Sequence, residues 1–342
     1  MREIDLILIG RGRVGGALKR HLRAYHDRPG TDLKFVLEAE VTSDRIDRAD
    51  GSADRRTSSD AWLPVVELAH ALRRRGREPV VVDVSDARTL ALHLSLVESG
   101  FTVVTANKRP LDTDRPTFCR LTDATDLRSH RAYWFEATVG GGLPVVRTLR
   151  ELVETGDRIV RLTATLSGTL NFLCEAHAKR VPFGKALAEA RDLGLTEPDP
   201  REDLLCKDVI RKTKILASLC GCSWLREDAI APVISSDAAN LFGKDFVEKV
   251  AGVADWPEAW AHYRSAEYAV EIEPTVSGSS VVRGGLRERD AARSPLEGAE
   301  NRFVIETERN GAHPIVIQGP GAGAAVTATA VFGDILRSIA RL

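Results

Sequence analysis

The chain has 342 residues, 43% of them hydrophobic and 28% charged, and its net charge is −1. That length calls for two domains rather than one small core, and the balanced charge gives no footing for nucleic acid or an anionic membrane. The opening MREIDLILIGRG has too short an apolar run, wrongly flanked, for a signal peptide, and no stretch reaches the roughly 18–20 apolar residues of a membrane span. The expected location is the cytoplasm. Cysteines at 119, 174, 206, 220 and 222 form no CxxC pair, and the histidines form no HxH or HxxxH pair. Reduced, mostly buried thiols are expected rather than a disulfide framework, a structural zinc site or a transition-metal centre.

In chain order, the apolar run 4–10 (IDLILIG) reads as a strand that ends in glycine. Gly10, Gly12 and Gly15 then fit G-x-G-x-x-G, with Arg13 and Val14 inside the pattern and Val14, Leu18 and Leu22 at helical spacing. In such a loop the first glycine permits the tight turn and the second lets backbone approach a pyrophosphate. The third lets the helix pack on the strand, and the helix N-terminus stabilises the anion. Strands follow at 33–41, 79–86 and 101–108, with a helix over 87–100 between the last two. Such alternation predicts a Rossmann-type, doubly wound parallel sheet with ligands at the carboxyl ends of its strands. Asp83-Val84-Ser85-Asp86 and Thr105-Ala106-Asn107-Lys108 fall at such ends. After the second strand comes Thr42-Ser43-Asp44-Arg45. Asp44 suits a ribose hydroxyl and Arg45 a 2′-phosphate, which leans toward NADP with NAD as the alternative.

Past 131–152 the chain changes character. Gly140, Gly141 and Gly142 followed by Pro144 form a backbone-dominated loop, either a domain crossing or a set of carbonyls for a cation with Glu136 as a charged ligand. LSGTLNFL (166–173) gathers Ser167, Gly168, Thr169 and Asn171 at a strand-to-helix turn. In TEPDPREDLLCKDVIRK (196–212), Pro198 and Pro200 disfavour helix before them. Asp199-Pro200-Arg201-Glu202 reads as an N-cap, an N1 proline and a capping-box acid. A helix is expected from about Pro200, with Leu205, Val209 and Leu216 near one stripe and Asp208 and Lys212 sharing a face. Region 275–295 reads as loop. Residues 301–336 read as two strands joined at Asn310-Gly311, then a glycine-rich turn and a helix that returns to the nucleotide domain.

Taken together, GRGRVGGAL (10–18), TANK (105–108), FEATVGGGLPV (135–145), LSGTLNFL, ARDLGLTEPDPREDLLCKDVIRK (190–212) and GPGAGAAVTATAVFGDIL (319–336) resemble the homoserine dehydrogenase family along nearly the whole chain. The resemblance implies NAD(P)H-dependent, reversible reduction of L-aspartate 4-semialdehyde to L-homoserine. It makes Lys108 and Lys212 the catalytic lysines, the second a proton donor and acceptor, with the Asp208 carboxylate near the reacting oxygen. Glu197 and Asp203 become ligands for the substrate amino group, with Gly194 and Thr196 beside them. Gly10, Gly12, Arg13, Val14, Gly15, Arg45, Ser85, Ser167 and Gly323 join Lys108 around the cofactor. Glu136, Val139, Gly141 and Leu143 match a monovalent-cation site, for Na⁺ or K⁺. A homodimer is implied, as is a nucleotide domain of residues 1–138 with 319–342, and a second α/β catalytic and dimerisation domain of residues 139–318. The chain ends soon after GDILRSIARL, so an appended regulatory domain is not expected.

Two departures stand out: Cys206 occupies a position where the family signature has glycine, and Glu202 one where it has aspartate. They keep two rivals open, a non-catalytic NADP-binding sensor on the same fold and another NAD(P)-dependent amino-acid dehydrogenase. At Cys206 either the backbone is ordinary α or activity is altered.

Overall fold

The computed structural model describes residues 2–56, 62–122, 133–197, 199–222, 229–235, 246–250, 253, 255–275, 280–289, 296 and 300–340; Pro198 lies outside them. The chain divides into two compact units, Met1–Gly142 with Gly323–Leu342, and Leu143–Ala322.

The first unit opens with β1 (Arg2–Ile9), α1 (Arg13–His26), β2 (Leu33–Val41), β3 (Arg45–Arg48), β4 (Ala53–Arg55), α2 (Leu63–Arg74), β5 (Val80–Asp83), α3 (Leu90–Glu98), β6 (Thr102–Thr105), α4 (Arg115–Thr122) and β7 (Tyr133–Trp134). The sheet order is β4-β3-β2-β1-β5-β6-β7. Neighbours from β2 to β7 run parallel, whereas β3 and β4 add an antiparallel ribbon at the β2 edge. Ile4, Leu6 and Leu8 of β1 join Ala17 and Leu18 in one core, while Ile7 and Ile9, on the opposite face, are equally buried. Burial on both faces is why these strands read as continuous apolar runs. Register sets Ile9 beside both Val41 and Asp83, and Asp83 beside Thr105. The carboxyl ends of β1, β2, β5 and β6 therefore form one edge, and strand order reverses at β1, where dinucleotide folds bind their ligand.

The second unit contains α5 (Val145–Glu154), β8 (Ile159–Thr165), α6 (Gly168–Ala178), α7 (Phe183–Asp192), α8 (Arg201–Leu204), α9 (Lys207–Leu219), α10 (Phe246–Val250), β9 (Ala266–Glu273), β10 (Val281–Glu288), β11 (Glu300–Thr307) and β12 (Ile315–Pro320). Its sheet runs β10-β9-β8-β11-β12, antiparallel throughout. The last helix, α11 (Ala324–Ile339), belongs to the first unit and adds Ala328, Val331 and Ile335 to the β1 core.

Several expectations need correction. The seams fall at 142/143 and 322/323 rather than at 138/139 and 318/319. Gly142 stays with the first unit because it lies against Val326, and residues up to Pro320 stay with the second because Pro320 pairs with Glu300 in the sheet. Region 275–295 is not simply loop, since β10 occupies 281–288. Its Gly284 sits beneath Ile230, where a Cβ would come within 2.9 Å of the isoleucine Cδ1, so close packing, not turn chemistry, explains that glycine. β11 and β12 pair as a hairpin, but the connection spans 308–314, longer than a two-residue Asn-Gly turn.

The helix expected from Pro200 is broken. Cys206 adopts left-handed backbone (φ 58°, ψ 24°) between α8 and α9, so it takes the conformation that glycine adopts without penalty, not ordinary α. Leu204, Cys206 and Val209 are buried there, while Leu205 is only half-buried. Glu202 makes an ion pair with Lys207 at 2.6 Å instead of closing a capping box. The Cys206 side chain is 1% exposed, and burial pushes its thiol up to about 11.

The usual order of helix propensities should invert at this position. Cys206→Gly relieves the left-handed penalty that Cys206→Ala keeps, so urea unfolding should find the glycine variant more stable than the alanine variant by roughly 1 kcal/mol. An alanine variant at least as stable as the glycine variant would contradict the strain.

Candidate active site

In the first unit the glycine loop is shaped by close approach. Gly10 has φ +104°, and a Cβ there would meet the Val84 carbonyl and Ser85 nitrogen at 3.0 Å. A Cβ on Gly15 would lie 2.3 Å from the Gly10 carbonyl oxygen. Gly12 meets nothing within 4 Å, which leaves its backbone open to a ligand at the N-terminus of α1. Arg13 is exposed and Val14 half-buried at the start of that helix. Gly323, at φ +128°, caps the N-terminus of α11.

Beside this loop, the ends of β5 and β6 are joined by a buried polar network. One Asp83 oxygen accepts from the Ser85 backbone N–H (2.9 Å) and hydroxyl (2.6 Å). The other accepts from the Thr89 hydroxyl (2.7 Å), His93 Nε2 (3.0 Å) and Asn107 Nδ2 (3.0 Å). Burial would push the Asp83 carboxyl up, but the hydrogen bonds from His93 and Ser85 outweigh it and hold it below its ordinary value. His93 Nδ1 lies 2.8 Å from the Tyr133 hydroxyl, and burial, with Asp83 near, raises that phenol well above its ordinary range. The imidazole thus bridges the Tyr133 hydroxyl and the Asp83 carboxylate, one ring nitrogen to each. The sequence reading missed His93 and Tyr133. A histidine inside the apolar run LALHLSLV of α3 is the signal for the first.

At the end of β2, Thr42 donates to Asp44 at 2.7 Å. Arg45 pairs with Asp47, and Arg11 is held by both Asp47 and Glu40. Two guanidinium groups thus sit where a dinucleotide ribose is bound in this kind of sheet.

In the second unit the candidate residues gather around the β8–α6 turn. Ser167 caps α6, its hydroxyl oxygen accepting from Leu170 N–H at 3.2 Å. Lys212, on α9 and only 8% exposed, donates to the Leu166 carbonyl at 2.8 Å and pairs with Asp208 at 2.9 Å. Gly194, at φ +69°, turns the chain after α7, and Thr196 and the exposed Glu197 follow. Asp203 accepts from the Glu197 backbone N–H at 2.8 Å, and its other oxygen lies 2.9 Å from the Thr169 hydroxyl. Burial pushes the Asp203 carboxyl up to about 6; the neighbouring Glu197 and Asp208 carboxylates add to the rise, against the pull of those hydrogen bonds. This arrangement thus brings Glu197, Asp203, Asp208 and Lys212 together. The sequence reading missed Thr169 as an anchor for Asp203.

Of the cation candidates, Glu136 is 4% exposed and its backbone N–H donates to Asp334 at 2.9 Å. Val139 and Gly141 are buried in the same stretch, where Gly140 and Gly141 have φ of 76° and 62°. Leu143 begins the second unit and is half-buried.

Comparison with known proteins decides the family. The homoserine dehydrogenase family model matches residues 144–336, and the model of the homoserine dehydrogenase NAD binding domain matches residues 10–134. The chain belongs to the homoserine dehydrogenase family. It is 36% identical over 305 residues to the homoserine dehydrogenase of Paracoccidioides brasiliensis, covering 84% of this chain and 81% of that one. It is 30% identical over 366 residues to the homoserine dehydrogenase of Saccharomyces cerevisiae, covering 100% and 99%. A hyperthermophilic archaeal homoserine dehydrogenase in complex with NADPH shares the fold, with a TM-score of 0.71 at 19% identity over 100% of this chain and 99% of that one. As a homoserine dehydrogenase the chain is an NAD(P)-dependent oxidoreductase, and its glycine loop and strand ends lie within the span matched by the NAD binding domain.

A folded-state pKa of about 6 for Asp203 lies above the ordinary carboxylate value. The stability this group contributes is therefore present at low pH and lost as pH rises through about 6. Asp203→Asn removes that loss. Urea unfolding should show the variant gaining on the parent by about 1–2 kcal/mol between about pH 4 and about pH 7, discounted for residual solvent. A difference that stays flat with pH would contradict the raised carboxyl.

Proposed function

We propose that this homoserine dehydrogenase uses NADPH in preference to NADH, and that Lys212 is the proton donor when L-aspartate 4-semialdehyde becomes L-homoserine. The observation that carries this reading is the burial of the Lys212 ammonium between the Leu166 carbonyl and the Asp208 carboxylate. A lysine so held is fixed in aim and can pass a proton to a developing alkoxide.

Bound NADPH supplies the hydride for the aldehyde carbon. The carbonyl electron pair then moves onto oxygen, where Lys212 delivers a proton and Lys108 stabilises the growing negative charge. Asp208 sets the position of the Lys212 ammonium. Glu197 and Asp203 receive the substrate ammonium, with Gly194 and Thr196 shaping the turn beside it. An ammonium against Asp203 offsets the desolvation that raises its carboxyl. In the reverse direction Lys212 takes the hydroxyl proton.

Gly10, Gly12, Arg13, Val14 and Gly15 receive the pyrophosphate, and Ser85, Ser167 and Gly323 complete the cofactor wall. Arg45 meets the 2′-phosphate, a reading supported by the pair of guanidinium groups at the β2 end. A monovalent cation, Na⁺ or K⁺, suits the buried Glu136 carboxylate with the carbonyls of Val139, Gly141 and Leu143, since the left-handed glycines 140 and 141 turn successive carbonyls. A homodimer built on the five-stranded sheet and a cytoplasmic location belong to the same reading.

The test is NADP-dependent oxidation of L-homoserine. Lys212→Ala and Lys108→Met should each lower kcat by about 10²- to 10⁴-fold while NADPH affinity stays within about threefold. Near-normal turnover by Lys212→Ala would overturn the proton role. NADP binding without turnover in the parent chain would favour a sensor. In the same assay, Arg45→Ala should raise the KM for NADP about tenfold and leave that for NAD little changed. Equal effects on both cofactors would remove Arg45 from the phosphate site.

A further inference from the structure

The Lys108 loop is tied to the Ser85 loop by one side chain. Asn107, 2% exposed, lies within donor reach of three acceptors through a single nitrogen: Asp83 Oδ2 at 3.0 Å, the Ala87 carbonyl at 2.9 Å and the Thr89 hydroxyl at 3.1 Å. Its own oxygen accepts from the Arg109 backbone N–H at 3.0 Å. Lys108 stands between these two anchors, and its carbonyl accepts from Leu111 N–H at 3.0 Å. On the near side the backbone is held as well. Asn107 N–H donates to the Thr105 hydroxyl at 2.9 Å, and Ala106 N–H to the Asp83 carbonyl at 2.9 Å. Across the exposed rim, Arg109 reaches Asp86 at 2.8 Å.

Each bond joins the chain after β6 either to itself or to the chain after β5. A buried amide that satisfies its donors and its acceptor in one geometry specifies that geometry closely, since leaving any partner unmade costs the desolvation of the group. We infer that Asn107, anchored on the buried Asp83–His93 pair, is a positioning residue that fixes the Lys108 backbone relative to the cofactor wall at Ser85. The partners of the Asn107 side chain are protein groups. Asn107 acts through Lys108, so the inference rests on the catalytic reading of that lysine.

Ser85 keeps its own two bonds to Asp83 when Asn107 is truncated, so the two readouts separate. Asn107→Ala should lower kcat by about 10- to 100-fold, the scale of a misplaced reacting group, while the Kd for NADPH stays within about threefold. Asn107→Asp places a second carboxyl against Asp83, and the two cannot both ionise at close range. When protonated, the introduced carboxyl regains one donor toward Asp83. Activity of Asn107→Asp should therefore recover toward acid pH relative to the parent, whereas Asn107→Ala stays low across the range. Thr89→Val, which is nearly isosteric and removes the hydroxyl shared by Asp83 and Asn107, should lower kcat by roughly 3- to 10-fold and decides the matter if the Asn107 variants do not fold.

Lys108→Met is measured alongside. If it loses turnover and Asn107→Ala and Thr89→Val do not, the positioning role fails alone. If Lys108→Met also keeps turnover, the catalytic reading of Lys108 fails instead. A parallel loss of kcat, NADPH affinity and thermal stability in Asn107→Ala, with no acid recovery in Asn107→Asp, would overturn the inference in favour of general loop damage.

Discussion

Asp203 is a carboxylate that folding has largely removed from water while giving it only a backbone N–H and a hydroxyl in exchange. Among the described residues it makes no ion pair, and two further acids, Glu197 and Asp208, lie close enough to raise its carboxyl. The second unit is arranged around this tension. Thr169 comes from the start of α6 and the Glu197 N–H from the turn after α7, while Asp203 itself rides on the short helix α8. The left-handed Cys206 that ends α8 redirects the chain into α9, which carries Asp208 and Lys212. Such a wall lacks positive charge at one point and holds a fixed ammonium at another. On the proposed reading, a substrate that carries an ammonium beside an aldehyde would supply the first and be served by the second.

The first unit treats a buried acid in the opposite way. Among the described residues the Asp83 carboxylate accepts five hydrogen bonds, two from Ser85 and one each from Thr89, His93 and Asn107. Its carboxyl stays below the ordinary value in spite of complete burial. A carboxylate so fully supplied with donors specifies geometry; one with fewer, such as Asp203, is suited to recognition. The same residue type thus takes opposite roles, set by the number of donors each environment provides. The strand ends of the first unit are rigidified by their own side chains, whereas the acids of the second unit keep acceptor capacity for a bound cation.

Much of the nucleotide layer is legible in sequence because β1, β5 and β6 are buried on both faces and written as apolar runs, and because Gly10 and Gly15 stand in contacts that only glycine tolerates. What stays hidden has physical reasons. Gly284 helps disguise β10 as loop, because the need for it comes from Ile230, more than fifty positions earlier in the chain. The α8–α9 break is hidden because a cysteine stands at the left-handed position, so the one residue that would announce the turn is missing. Asp208 and Lys212 look like an exposed helical pair by spacing, and only the strand-to-helix turn at Leu166, 46 positions away, reveals that the lysine is buried. The Asp83 network is half legible: its aspartate and asparagine stand at strand ends, whereas His93 lies inside a largely apolar helix.

The most direct measurement is the ratio of kcat/KM for L-aspartate 4-semialdehyde to that for the same four-carbon semialdehyde without its amino group, with NADPH held saturating. If the acids around Asp203 exist to receive an ammonium, the analogue should be poorer by roughly 10³-fold or more, because it leaves a buried carboxylate unpaired. An analogue reduced within about tenfold of the natural substrate would contradict the account.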